Sequence, residues 1–143
     1  MIQITFYKYL IIFVKIILIL NCSSKEMYTH PDARVIKSFY NNGNIEYQSE
    51  YMKQLPHGKT IHWFENGNIK SESFYLNGKI HDLYKEYDTE GNVKYTIEYQ
   101  FGKKNGFERW YYSSGQIKSE KKYVNDSIVG DIIRWDRDGN IIY

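Results

Sequence analysis

The residues of this chain that could do chemistry are four histidines and a regular series of acids. His57 and His81 stand 24 positions apart, with His30 and His62 as the other two. Two imidazoles at a recurring position could hold zinc, whose nitrogen ligands lie at about 2.0–2.1 Å. If two strands separate them, however, their backbones stand about 9–10 Å apart, and no cysteine or clustered carboxylate joins them. They read as solvated turn residues. Glu50, Glu72, Glu98 and Glu120 recur along the chain. Catalysis needs unlike groups converging at one place, whereas recurring acids suit a solvated face or cross-strand pairing with lysine. The chain carries no Gly-x-Ser-x-Gly elbow, no phosphate-cradling glycine loop and no metal-ligand signature. The expectation is a protein that is not an enzyme and uses no cofactor, metal or small-molecule substrate.

Composition narrows the class. The chain has 143 residues, enough for one domain, with 19 Lys+Arg against 17 Asp+Glu. Lys8 and Lys15 precede Cys22, and residues 1–21 contain no acid, so a chain beginning at Cys22 balances at 17 and 17. A nucleic-acid binder needs a basic surface; none is expected here. Aromatics make up 17% of the chain, including 15 Tyr, and only 2 Pro occur. That composition favours strands and opposes disorder. Cys22 is the lone cysteine, which excludes an intramolecular disulfide.

The first residues read as an address. From Tyr9 to Leu20 the chain is apolar, broken once by Lys15, and it leads to Asn21-Cys22. This is short for a membrane span of about 20 residues and fits a signal-peptide core of roughly 7–15. Ile19-Leu20-Asn21-Cys22 resembles the lipobox of bacterial lipoproteins, with Asn21 where Gly, Ala or Ser is usual. The resemblance implies that 1–21 is a signal peptide with an apolar helix, that Cys22 is lipidated, and that 22–33 is a polar tether. It implies a lipid anchor in the bacterial cell envelope. Ser23 and Ser24, with no Asp after the cysteine, favour the outer membrane; a cytoplasmic location is the lesser alternative.

Beyond the tether the chain repeats itself. Gly43, Gly67, Gly91, Gly115 and Gly139 are each 24 residues apart. Two positions after each glycine stands an aliphatic residue: Ile45, Ile69, Val93, Ile117 and Ile141. Four positions before stand Phe39, Trp63, Tyr87, Tyr111 and Trp135, and eight after stand Tyr51, Tyr75, Tyr99 and Tyr123. Such a fixed period signals a repeat architecture, and alternation within each unit signals strands. Turns such as Glu65-Asn66-Gly67 suit a three-residue hairpin loop with left-handed glycine, which sets Trp63 opposite Ile69 and Tyr87 opposite Val93. A looser link of six or seven residues joins successive hairpins. The fold class expected for 34–143 is all-β, a single-layer antiparallel meander of about ten strands.

The pattern carried by Tyr87, Gly91, Val93, Tyr99, Gly102, Gly106 and Tyr111 resembles the bacterial variant of the MORN repeat over about 34–143. Gln54 and Asp126 replace the second turn glycine, and Asp82 the third. The resemblance implies a scaffold that binds a protein partner, or, as an alternative, an antitoxin that neutralises a toxin by direct binding. The two aromatic columns are expected to form the core. Phe64, Phe74, Trp110 and Tyr112 fall on the opposite parity and form a candidate binding patch, on which sugar stacking is a third reading. The edge strands near Val35–Tyr40 and Asn140–Tyr143 can each accept a partner's strand.

Overall fold

A computed structural model describes residues 32–142. The expected signal segment 1–21, its apolar helix, Cys22 and most of the 22–33 tether lie outside the described residues. Among the described residues there are ten strands and no helix: β1 (Ala33–Phe39), β2 (Ile45–Met52), β3 (Leu55–Trp63), β4 (Ile69–Leu76), β5 (Lys79–Tyr87), β6 (Val93–Gln100), β7 (Lys103–Tyr111), β8 (Ile117–Val124), β9 (Ser127–Trp135) and β10 (Ile141–Ile142). They form one sheet in sequential order, with every neighbouring pair antiparallel. The expected single-layer meander is the observed fold.

The tight turns follow from the glycine column. Gly43, Gly67, Gly91, Gly115 and Gly139 hold φ between +85° and +92°, a conformation that costs a side-chain-bearing residue about 1–2 kcal/mol. In the second unit the Gly67 N–H donates to the Phe64 carbonyl (2.9 Å), and the Phe64 N–H donates to the Asn68 carbonyl (2.8 Å). This is the three-residue loop, and it sets the expected register. Trp63 pairs with Ile69 and Tyr87 with Val93.

One pair further from the turn the register slips. Trp63 faces Ile69, but His62 faces Ser71, so Lys70 is an extra residue. The same slip leaves Glu46, Lys94 and Lys118 unmatched in the other units. A bulge of this kind breaks strict alternation, and it corrects the expected arrangement of faces. Tyr87 donates its hydroxyl to Glu72 (3.1 Å) and the Tyr111 hydroxyl meets that of Thr96 (3.2 Å). The Trp63–Tyr87–Tyr111 column therefore shares a face with Glu72 and Thr96. The Tyr51–Tyr75–Tyr99–Tyr123 column lies on the other face. Pairing links Tyr75 to Gly58 and Ile80, and Tyr99 to Asp82 and Lys104. We call these the ladder face and the tyrosine face.

The looser links are also tighter than expected. β4 runs to Leu76 and β5 starts at Lys79, so the connection is the two residues Asn77 (φ +49°) and Gly78 (φ +79°), the positive-φ pair of a type I′ turn. At two of the three departures from glycine the backbone keeps its geometry, with Asp82 at φ +61° and Asp126 at φ +69°; Gln54 does not stand at positive φ. Gly58 and Gly106 share Asp82's column. A Cβ on Gly58 would enter the Glu50 side chain, and one on Gly106 would come within 2.7 Å of the Glu98 Cβ. Phe74 stands at the position equivalent to those glutamates and pairs with His81, the residue before Asp82.

The aromatic columns are not a dry core. Among the described residues only Ile97 and Tyr123 are both hydrophobic and buried, while Ser49, Thr60, Ser71, Ser73, Thr96 and Glu108 are buried and polar. A single layer has no second sheet to pack against, so the tall tyrosines cover the short residues between them. The glycine column tests the geometry. Gly115→Ala meets open space and should cost only the backbone term of about 1–2 kcal/mol. Gly106→Ala meets Glu98 as well and should cost more. Urea unfolding of both variants checks the ranking; equal losses would refute the close approach.

Candidate binding surfaces

On the tyrosine face the most developed cluster spans β5 to β8. Trp110 pairs with Tyr95 across β6 and β7, and their ring centroids stand 4.6 Å apart. Tyr84 approaches Tyr95 edge-on at 6.2 Å. Below them Glu108, only 5% exposed, accepts hydrogen bonds from Tyr95 (3.2 Å), Lys104 (3.1 Å) and Lys121 (3.1 Å). Burial pushes the Glu108 carboxyl up, but the two lysines outweigh it and hold the group below the ordinary 4.5. Burial and the neighbouring carboxylate both push the Tyr95 phenol up, so it stays a hydrogen-bond donor at any physiological pH. The Lys104 ammonium also lies 4.8 Å from the Tyr123 ring centre. The result is a fixed floor of paired charge beneath an aromatic surface from which Trp110 emerges, 39% exposed.

Of the four residues expected to form a patch, the structure does not bring all together. Trp110 is on the tyrosine face. Phe74 alternates with Ser73 and Tyr75 and faces the other way, opposite Lys59 and His81; strand alternation together with the bulge separates it from Trp110. Phe64 and Tyr112 occupy equivalent positions just past a strand end, and both are half-buried. Tyr112 is partly structural. Its hydroxyl donates to the Trp135 carbonyl one unit on (2.8 Å), as Tyr40 does to Trp63 (2.6 Å). Its ring lies near Lys118 and Arg137.

His57 and His81 do not sit in turns as expected: each is the third residue of its strand, β3 and β5, and is engaged rather than solvated. His81 Nδ1 accepts from the Phe101 N–H (3.1 Å), and His57 Nδ1 accepts from Asn77 N–H (3.3 Å). Asn105 takes the same role towards Asn125 (3.4 Å). This column clasps the next unit's type I′ turn. The signal was present in the sequence as His, His and Asn spaced by 24. The Glu108 cluster was missed. Its column reads Thr60, Tyr84, Glu108 and Ile132, and a lone acid among unlike residues was the available sign. No group of three or more His, Cys, Asp or Glu side chains among the described residues could hold a metal.

Of the four recurring acids, two pair with bases across strands, while Glu50 accepts a hydrogen bond from the Lys59 backbone N–H (3.1 Å) and Glu98 lies against Gly106. Glu72 meets Lys59 at 2.9 Å and Glu120 meets Arg109 at 2.6 Å. Register aligns Glu72, Lys85, Thr96, Arg109 and Glu120 in one row of the ladder face.

The chain matches the MORN repeat variant family over residues 35–53, 56–77, 83–100 and 104–125, together more than half its length. The chain belongs to that family. Each match covers one tight hairpin, β1–β2 through β7–β8; β9–β10, included in the resemblance read to residue 143, lies outside the matched segments. MORN repeats of this kind are in general non-catalytic binding repeats. No curated protein matches. Among solved structures, a chain of the accessory secretory protein 1, 2 and 3 assembly of Streptococcus pneumoniae is similar at a TM-score of 0.39 and 14% identity, over 65% of this chain and 17% of that one.

The charge cluster makes a testable statement about pH. Glu108→Gln removes a carboxylate that two lysines hold, and should cost about 1.5–3 kcal/mol at neutral pH. The Glu108 carboxyl is below its ordinary 4.5 in the folded protein, so its contribution is full above about that pH and is lost as the pH falls through the folded value. Thermal melts of both proteins from pH 7 to pH 3 should converge at the acid end. A gap of constant size would refute the assignment.

Proposed function

We propose that this protein is a lipid-anchored scaffold of the bacterial envelope that presents its repeat sheet to a protein partner and carries out no catalysis. The observation that supports a binding role is the open Trp110–Tyr95 surface, with its tyrosine neighbours set on a fixed ion-paired floor. Tryptophan and tyrosine are common anchors of protein interfaces, and a rigid floor lowers the ordering cost of association. The sheet also offers edges. β9 pairs with β10 only at Trp135 and Arg134, so among the described strands the rest of its outer edge is unpaired, and Ile128, Val129 and Ile132 beside it are exposed. The anchor rests on the sequence of residues 1–22, where the lipobox-like segment ends at Cys22. Acyl chains at about 0.8 kcal/mol per buried CH₂ hold a protein on a bilayer without a spanning helix.

Two experiments test this. Cells expressing the protein are labelled with radioactive palmitate, and membranes are compared for wild type and Cys22→Ala. Label and membrane association are expected in the first and absent in the second. A soluble, unlabelled protein that retains residues 1–21 would sink the anchor and bring the antitoxin reading forward. Separately, Trp110→Ala, with its fold verified by melting, should lose the adducts that wild type forms on in-cell cross-linking. Unchanged adducts would remove the tyrosine face from the proposal.

A further inference from the structure

The ladder face contains one place where the repeat supplies both holders of a carboxylate and omits the carboxylate itself. Position 96 is equivalent by the 24-residue period to Glu72 and Glu120, but it is Thr. In the preceding unit Glu72 accepts a hydrogen bond from Tyr87 (3.1 Å). The tyrosine equivalent to Tyr87 is Tyr111, and it meets the Thr96 hydroxyl at 3.2 Å. In the following unit Glu120 accepts from its cross-strand partner Arg109 (2.6 Å). The equivalent partner of Thr96 is Lys85. Arg109 itself flanks Thr96 on the opposite side. The row thus reads acid, base, hydroxyl, base, acid, with both bases one strand from the hydroxyl, at about 4.5–5.5 Å between Cβ atoms.

Shortening Glu to Thr leaves space. A hollow of about 440 Å³ lies over this position, and Lys85, Asn92, Val93, Thr96, Tyr111 and Ser113 are among the residues around it. Its polar lining includes the Lys85 ammonium and the hydroxyls of Thr96, Tyr111 and Ser113, which can donate; the Asn92 amide already donates to Asp88. Its apolar floor suits the methylene stem of an acidic side chain. Lys85 stands opposite Glu72 on one side, but the Glu72 carboxylate pairs with Lys59 (2.9 Å). On the other side its direct partner is Thr96, and the diagonal acid Glu98 turns its carboxylate towards Gly106 on β7.

We propose that this hollow receives a glutamate or aspartate side chain of a partner polypeptide, which takes the place of the missing repeat carboxylate between Lys85 and Tyr111. The proposal rests on the protein-binding reading for the source of the acid, but it concerns the opposite face from Trp110. Loss of cross-linking in Trp110→Ala and loss of carboxylate binding here are therefore separate results.

The test is a titration of the full chain, followed by amide NMR shifts, with the blocked tripeptide Ala-Glu-Ala, its Ala-Gln-Ala counterpart and sodium acetate. The glutamate peptide should shift the amides of Lys85, Thr96, Tyr111 and Ser113 saturably, and the glutamine peptide should bind at least about tenfold more weakly. Thr96→Glu supplies the carboxylate internally; it should abolish the shifts while melting no lower than wild type. Lys85→Met should abolish them too and serves if Thr96→Glu does not fold. Equal response to glutamate and glutamine, or full binding by Thr96→Glu, would overturn the proposal. Acetate binding as tightly as the peptide would also overturn it, by assigning the hollow to small anions.

Discussion

Among the described residues, everything depends on a sheet that has no second layer. In a sandwich each strand buries one face against another sheet, and the hydrophobic effect carries the stability. Here a strand can lean only on the strands beside it. Fixed strand pairing is therefore the main source of order, and the 24-residue period keeps it. Each tight turn must return the chain at the same register, or the columns of side chains no longer meet. The polar interior is compatible with this. Among the described residues no buried side-chain nitrogen or oxygen lacks a hydrogen-bond partner, so Ser49 against Thr60 at 2.5 Å, or Glu108 under its lysines, adds cross-strand bonds without leaving an uncompensated group.

Stitching between units has the same logic. Tyr40 and Tyr112 reach a carbonyl one unit ahead. Asn42 and Asn44 both donate to the Glu65 carbonyl, and Asn66 and Asn68 to that of Thr89. His57, His81 and Asn105 hold the turns at the other end. Each bond is short in space but about 20 residues long in sequence. They tie turn to turn at both margins of the sheet, where strand pairing has ended and the backbone would otherwise fray.

The fold was legible because its signals are independent of packing. Glycines at a constant interval demand a constant turn, and the pairing of aromatic with aliphatic columns picks the three-residue loop over the two-residue one. The faces were not legible. The bulged residues Glu46, Lys70, Lys94 and Lys118 are charged, so they look like ordinary outward positions of an alternating strand, and nothing in their types announces an extra residue. Counting parity through them exchanges the faces beyond the slip. That is why Phe74 and Trp110 read as neighbours in a patch but lie on opposite sides. The Asn77-Gly78 turn was obscured differently. Asp82, at positive φ three residues into β5, interrupts alternation and makes the strand look like loop.

A repeat this strict also changes how a binding site is to be recognised. In an irregular fold, function shows as convergence of unlike groups. In a ladder of near-identical units, convergence is spread out, and the informative positions are those where a unit departs from its neighbours without the fold requiring it. Asp82 departs, and the backbone absorbs it. Glu108 departs, and Lys104 and Lys121 absorb it. Thr96 departs in the other direction: it removes an acid while Lys85, Arg109 and Tyr111 around it are retained. Trp110 departs by setting a large ring where His62, Glu86 and Arg134 stand in the equivalent positions. The first two departures are resolved within the chain. The last two leave an open hollow on one face and an exposed ring on the other, and these are the places to which the proposed partner contacts are assigned.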